Sequence, residues 1–220
     1  MAAMDTVVFD MDGLMFDTER LWVEAFDYGG RKMGLVPMGY MVLRTLGMNE
    51  QMWQQVFIEE FGPGFSREEL MKYSREYVDG FYSKNRVPVK KGLYNLLDVL
   101  KERGYTLAVA SSSPMEDVRH HLRDADIEDR FSVIVTGDMV ERSKPEPEIY
   151  LKACGLLGKK PEQCYALEDS PGGITSAHAA GLRALLVPDL WQPTQEYSGI
   201  YYKVFADLDE AASFFKGTEC

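Results

Sequence analysis

The sequence predicts an α/β protein: a parallel sheet with helices on both faces, and an all-helical segment inserted after the first strand. Three observations predict it. From residue 87 onward, short apolar runs alternate with amphipathic helical patterns, the signature of parallel strands joined by crossover helices. Between residues 17 and 86 helical patterns follow one another with no convincing strand. Finally, the apolar runs stop at polar clusters, the first of them a pair of aspartates at positions 10 and 12.

The run over 6–9, Thr-Val-Val-Phe, is β-branched and aromatic and stops at Asp10, as a short buried strand should. Met11 separates Asp10 from Asp12, so the two carboxylates leave an extended chain on the same side. Gly13 then allows a sharp turn. Asp17, Thr18 and Glu19 resemble a helix start leading to Leu21, Trp22, Ala25 and Phe26 on one face. Residues 36–46 are Met-rich and apolar, and Asn49 and Gln51 open a stretch with Met52, Trp53, Val56 and Phe57 at helical spacing. The Phe-Gly-Pro-Gly at 61–64 is a turn. Ser66 and Glu69 form a capping box for a helix carrying Leu70, Tyr73, Tyr77 and Phe81. The Met and aromatic stripes of this segment are most simply core.

Residues 87–92 read as a linker. Leu93, Leu96, Leu97 and Leu100 mark a helix face that Gly104 ends. A strand over 105–110 runs into Ser111-Ser112-Ser113-Pro114. There Ser113 reads as the cap of a helix over 115–125, with Pro114 at its first position and Glu116 completing a capping box. Strands are expected over 132–136, 163–167 and 182–187, and helices over 148–157 and 175–180, the latter stopped by Gly181. The tail from 188 is turn-rich and then helical over 208–215, and Tyr201, Tyr202 and Phe205 read as packing residues.

With 220 residues the chain can build one sizeable core or a core and a smaller unit. A net charge of −11 without any Lys/Arg cluster argues against nucleic acid as a partner. No stretch approaches the roughly 18 apolar residues that span a bilayer, and the N-terminus lacks the pattern of a signal peptide. Cys154, Cys164 and Cys220 show no metal spacing and read as reduced thiols. The expectation is a cytoplasmic protein, by default a monomer. His120, His121 and His178 read as surface or packing residues, and no zinc, copper or iron site is indicated.

In an open parallel sheet the carboxyl ends of the strands share one edge, where ligands bind. Three polar clusters fall there: Asp10 with Asp12, Ser111, and Glu168 with Asp169. Ser143-Lys144-Pro145 precedes a helix. A carboxylate can be a nucleophile, several can hold a hard cation that neutralises phosphate charge, and aspartates are also ordinary turn formers. Ser111 can hold phosphate oxygens together with helix-start N–H groups, or merely cap. Lys144 can balance phosphate charge or stand in solvent, and Glu168-Asp169 can complete a cation cage or belong to a polar loop. Their joint occurrence, in this order, favours phosphoryl transfer, which needs positioning and charge neutralisation above all.

Phe9-Asp10-Met11-Asp12-Gly13-Leu14 with Asp17-Thr18, Ala110-Ser111-Ser112-Ser113, Ser143-Lys144-Pro145-Glu146-Pro147 and Leu167-Glu168-Asp169-Ser170-Pro171-Gly172-Gly173-Ile174 together resemble the four motifs of the haloacid dehalogenase-like hydrolases, in the subgroup of β-phosphoglucomutase and sugar-phosphate phosphatases. The resemblance implies a Rossmann-like core formed by residues 1–16 and 87–220, with residues 17–86 as a helical cap. It implies Asp10 as a nucleophile forming an aspartyl-phosphate, and Asp12 as general acid and base. Ser111, Ser112 and Lys144 would hold the phosphoryl group. Asp10, Asp12 through its backbone carbonyl, Glu168 and Asp169 would hold Mg2+. The implied substrate is a small phosphorylated metabolite, such as a sugar phosphate.

Two departures weaken a mutase reading. Gly47 is followed by Met48-Asn49-Glu50 without the Arg that β-phosphoglucomutase-like members carry there, and Pro114 stands where a mutase usually has Lys. Arg44, Lys72 and Arg75 remain in the cap to grip an anionic substrate. A dehalogenase is disfavoured by the second carboxylate, Asp12. A non-catalytic binding protein on the same fold is the reading of another class, and no missing motif residue supports it.

Overall fold

A computed structural model of the chain describes residues 4–46, 48 and 50–217, without the side chains of Glu50 and Gln51. Gly47, Asn49 and Cys220, used above, lie outside the described residues. Six strands form one sheet in the order β3-β2-β1-β4-β5-β6: β1 (Thr6–Phe9), β2 (Thr106–Ser111), β3 (Val133–Thr136), β4 (Cys164–Glu168), β5 (Arg183–Leu186) and β6 (Lys203–Val204). Every pairing is parallel. β1 is central and lies between β2 and β4, so the strand order reverses at β1 and opens a crevice at its carboxyl end.

The alternation of a strand explains the two cores. Val7 and Phe9 face one way, into a layer with Leu96 and Leu100 of α5 (Leu93–Glu102) and Ala212 and Phe215 of α9 (Leu208–Gly217). Val8 faces the other way, against Ile149 and Ala153 of α7 (Glu148–Leu157) and Ala177 of α8 (Pro171–Ala179). The remaining core helix is α6 (Met115–Asp124), which adds Val118 and Leu122 to the first layer.

Among the described residues four helices run between β1 and α5: α1 (Thr18–Lys32), α2 (Tyr40–Arg44), α3 (Glu50–Phe61) and α4 (Arg67–Tyr82). α1 packs along α4. Phe26, Met38, Met41, Val42, Phe57 and Leu70 form a separate apolar cluster inside this insert, so the Met and aromatic stripes are core as expected. The Ser66 hydroxyl accepts from the Glu69 N–H at 3.3 Å, making the predicted cap of α4. The chain enters and leaves the insert side by side: Asp17 N–H donates to Pro88 O at 2.7 Å and Lys90 N–H to Met15 O at 2.9 Å.

The structure corrects two local readings. α6 starts at Met115 with Pro114 as its cap residue and no side-chain cap, so Ser113 is free for another bond. α8 starts at Pro171 rather than 175, because the Ser170 hydroxyl accepts from Gly173 N–H at 3.1 Å and Pro171 suits a first turn; two glycines, poor helix formers, hid that start. The apolar stretch at 36–46 contains only the five residues of α2 as helix. Cys154 and Cys164 are buried free thiols, and Phe205 is core. No helix among the described residues is long and apolar enough to cross a membrane.

Candidate active site

Each central strand delivers one polar group to the crevice because each stops there. Asp10 follows β1 and is anchored by its N–H to Leu167 O at 2.9 Å. Ser111 ends β2 and Glu168 ends β4. Asp10, Ser111, Lys144, Glu168 and Asp169 are all buried, which sets aside the solvent-exposed alternatives for Lys144 and the acidic pair. The Lys144 ammonium donates to Asp10 Oδ1 at 2.5 Å, Glu168 Oε1 at 2.7 Å and Ala110 O at 2.9 Å. The Tyr150 hydroxyl, from α7, also donates to Glu168 Oε1.

One carboxylate oxygen from each of Asp10, Glu168 and Asp169 lies within 4.8 Å of the others. Hard oxygen donors in this number suit a hard divalent cation, and one buried ammonium cannot balance three carboxylates. The residues present therefore fit the metal that the sequence suggested. Asp12 is treated differently. Its carboxylate accepts from Thr18 Oγ1 at 2.7 Å, Ser113 Oγ at 2.7 Å and Ser111 Oγ at 3.4 Å. Two carboxylates two residues apart thus occupy distinct environments, one beside an ammonium and an acid cluster, the other ringed by hydroxyls. The Ser112 hydroxyl is buried with no partner among the described residues.

Burial and the nearby Glu168 and Asp12 carboxylates push the Asp10 carboxyl up to about 8, against the pull of Lys144. Burial, Glu19 and Asp10 hold Asp169 well above the usual carboxylate range. Burial opposes the charge of Lys144, but Asp10 and Glu168 outweigh it and raise its pKa. Burial and the Asp12 and Asp10 charges push Glu19 up to about 9. An acid whose folded pKa lies above its unfolded value near 4 stabilises the fold fully only below that value, and loses the contribution as pH rises through the folded pKa. Metal-free protein should therefore melt at a lower temperature at pH 9 than at pH 5. Added Mg2+ should recover more stability at pH 9; equal melting temperatures without metal would contradict the charge crowding described here.

Two glycines make room for these carboxylates. A Cβ on Gly173 would fall 1.8 Å from Glu168 Oε2, and one on Gly13 would fall 2.2 Å from Asp169 Oδ2 at a φ of 82°. Gly173→Ala should cost about 1–3 kcal/mol through forced displacement in a packed site, read as a lower melting temperature. A melting temperature equal to wild type would show that Glu168 has another position open to it.

The structure brings together Asp10, Asp12, Ser111, Lys144, Glu168 and Asp169 of the residues expected at the site. It also adds four that had no assigned role there: Thr18 and Ser113, which stand in the motifs quoted above, and Tyr150 and Glu19, which do not. Ser113 and Thr18 looked fully explained as helix-start residues, while Tyr150 carries no local signal. His121 packs between Phe16 and Tyr82 with no partner for its Nδ1 among the described residues, and burial lowers its pKa. His120 and His178 are exposed.

A reversing parallel sheet with acids, a hydroxyl and a buried ammonium at its switch point defines a phosphoryl-transfer type of α/β hydrolase. Residues 7–187 match the haloacid dehalogenase-like hydrolase family, and the chain belongs to it. It is 32% identical over 182 residues to the phosphorylated carbohydrates phosphatase of Thermotoga maritima, covering 83% of this chain and 84% of that protein. It is 30% identical to hexitol phosphatase B of Escherichia coli, covering 82% of each. The crystal structure of CbbY from Rhodobacter sphaeroides in complex with phosphate superposes with a TM-score of 0.77 at 26% identity, over 94% of this chain and 96% of that one. Within the family the chain falls in the sugar-phosphate phosphatase subgroup.

Proposed function

We propose that the protein is a Mg2+-dependent phosphomonoesterase that hydrolyses a small phosphorylated metabolite, a sugar phosphate, through an aspartyl-phosphate on Asp10. The observation that carries this reading is the contrast between Asp10 and Asp12. Asp10 sits against Lys144 and the acid cluster, where a phosphoryl group's charge can be met. Asp12 is held apart by hydroxyls. The relatives' names support the substrate class, since one acts on phosphorylated carbohydrates and another on hexitol phosphates.

In this reading an Asp10 oxygen attacks phosphorus, the bond to the sugar oxygen breaks, and Asp12 gives its proton to that leaving oxygen. Asp12 then takes a proton from water, the water oxygen attacks the phosphoryl group, and Asp10 leaves as carboxylate with inorganic phosphate released. Lys144, Ser111 and Ser112 meet the phosphoryl oxygens. Asp10, Glu168, Asp169 and the Asp12 carbonyl would hold Mg2+, whose charge offsets that of the phosphate. Residues 17–86 act as a cap, closing over residues 1–16 and 87–220 to exclude water and select the substrate. The paired chain crossings at 15–17 and 88–90 suit a hinge.

Phosphate release from a panel of sugar phosphates, with Mg2+ and with chelator, tests this. Release that persists in chelator would remove the metal from the reading. A phosphosugar mutase is the second reading, favoured by Ser111 and Ser113 both reaching Asp12; it predicts isomerised sugar phosphate with little free phosphate in the same tubes.

A further inference from the structure

Glu19 is the acidic residue in the first turn of α1, and an acid there is usually explained by the helix dipole alone. Its surroundings do not fit that explanation. Its Oε2 is buried and has no hydrogen-bond donor among the described residues. That oxygen lies 2.9 Å from the point a Cβ on Gly13 would occupy, and Asp169 Oδ2 lies 2.2 Å from the same point. The two carboxylates thus face each other across a glycine. Asp12, Asp10 and Asp189 all repel Glu19, with Lys90 as the attracting charge named among its neighbours. An acid serving only the dipole would turn to solvent and avoid this repulsion.

What the Glu19 oxygen lacks is a donor, and what the cluster beside it lacks is positive charge. A hydrated divalent cation brings both, since Mg2+ keeps several of its waters when it binds protein and their O–H groups donate outward. We propose that Glu19 is a positioning residue of the metal site, accepting a hydrogen bond from a water on the cation held by Asp10, Glu168 and Asp169. This rests on the metal reading above and extends it. Glu19 belongs to the first helix of the insert, so the bond ties the insert to the cation and not only to the chain crossings.

The test is Mg2+ titration by calorimetry on wild type, Glu19→Gln, Glu19→Ala and Asp169→Asn, with melting temperatures of each in the presence and absence of Mg2+. Partners of this outer kind typically govern metal affinity by 10–100-fold. Glu19→Ala is expected to weaken Mg2+ binding about 10–100-fold, and Glu19→Gln by less, because its amide oxygen still accepts. Neither variant should melt below the wild-type temperature without metal, since among the described residues no hydrogen bond to the Glu19 Oε2 is lost, and both should gain less from Mg2+. A residue with only a packing role would move the metal-free melting temperature down and leave the affinity alone. Unchanged affinity in Glu19→Ala, with Asp169→Asn weakened, overturns the Glu19 proposal and spares the metal site. Equal binding by Asp169→Asn and wild type, or no binding by wild type, overturns both. The near-isosteric Glu19→Gln decides the matter if Glu19→Ala does not fold.

Discussion

Asp10→Asn is expected to give a folded protein whose phosphate release is lower by about 10^4–10^6-fold, the scale on which enzymes fail when a covalent nucleophile is removed. An amide of the same shape keeps the backbone bond from residue 10 to Leu167 and still offers an oxygen to Lys144. It cannot form the acyl-phosphate bond. Stability should not suffer. The carboxyl of Asp10 is pushed up to about 8 by burial and by its acidic neighbours, so its removal relieves crowding, and melting at pH 8 should occur at or above the wild-type temperature. The two readouts together separate chemistry from folding. A variant that melts normally and still turns over at a tenth of the wild-type rate would sink the aspartyl-phosphate, and Asp12 would then be the acid to examine as sole catalyst.

The sheet was legible because its strands are buried on both faces. Thr6–Phe9 has no exposed residue, and such a strand must be apolar throughout, so the point where polarity begins marks its end. Asp10, Ser111 and Glu168 were found by that rule. β6 was not found, because two exposed residues at a sheet edge carry no burial pattern. The start of α8 was misplaced because Gly173 is there for Glu168's oxygens rather than for helix propensity. Local logic overrides propensity at sites, and this is one such case.

The missing site residues share a different cause. Ser113 and Asp12 are 101 residues apart in the chain, and Thr18 bonds Asp12 from the far side of a turn. A hydroxyl next to a helix start has a sufficient local explanation in capping, so nothing in the sequence asks for a second one. Only the sheet order, with β1 between β2 and β4, places the segment after β2 over the end of β1. Tyr150 is further from legibility still: it reads as one more apolar position of α7, and its bond to Glu168 depends on how α7 lies across the sheet.

Lys144→Met should cost about 3–5 kcal/mol of stability, the usual penalty for leaving buried charges without their partner. Lys144 is 1% exposed, and its three N–H groups are all used, on Asp10, Glu168 and the carbonyl of Ala110. An ammonium has three donors and no more, so no other group replaces any of these bonds when it goes. Methionine fills much of the space, which confines the loss to charge and hydrogen bonds. Folding free energies of domains run to only about 5–15 kcal/mol, so urea denaturation should show a large shift of the midpoint. The loss should grow with pH, because protonation of Asp10, whose carboxyl is pushed up to about 8, relieves the deficit at pH 5 and is lost as pH rises past that value. Added Mg2+ should restore part of it, since the cation meets two of the same carboxylates. Lys144→Arg keeps the charge but brings a wider, planar group into a packed site, so it should lose less stability and still fail to turn over. A Lys144→Met loss under about 1 kcal/mol, the range of an exposed ion pair, would mean that the acids carry protons instead of a counter-charge. The bonds of Lys144 join the carboxyl ends of β1, β2 and β4, the three strands that frame the crevice. The charge that would meet a phosphoryl group is therefore the same charge that holds the crevice together, and neither role can be removed by substitution without the other.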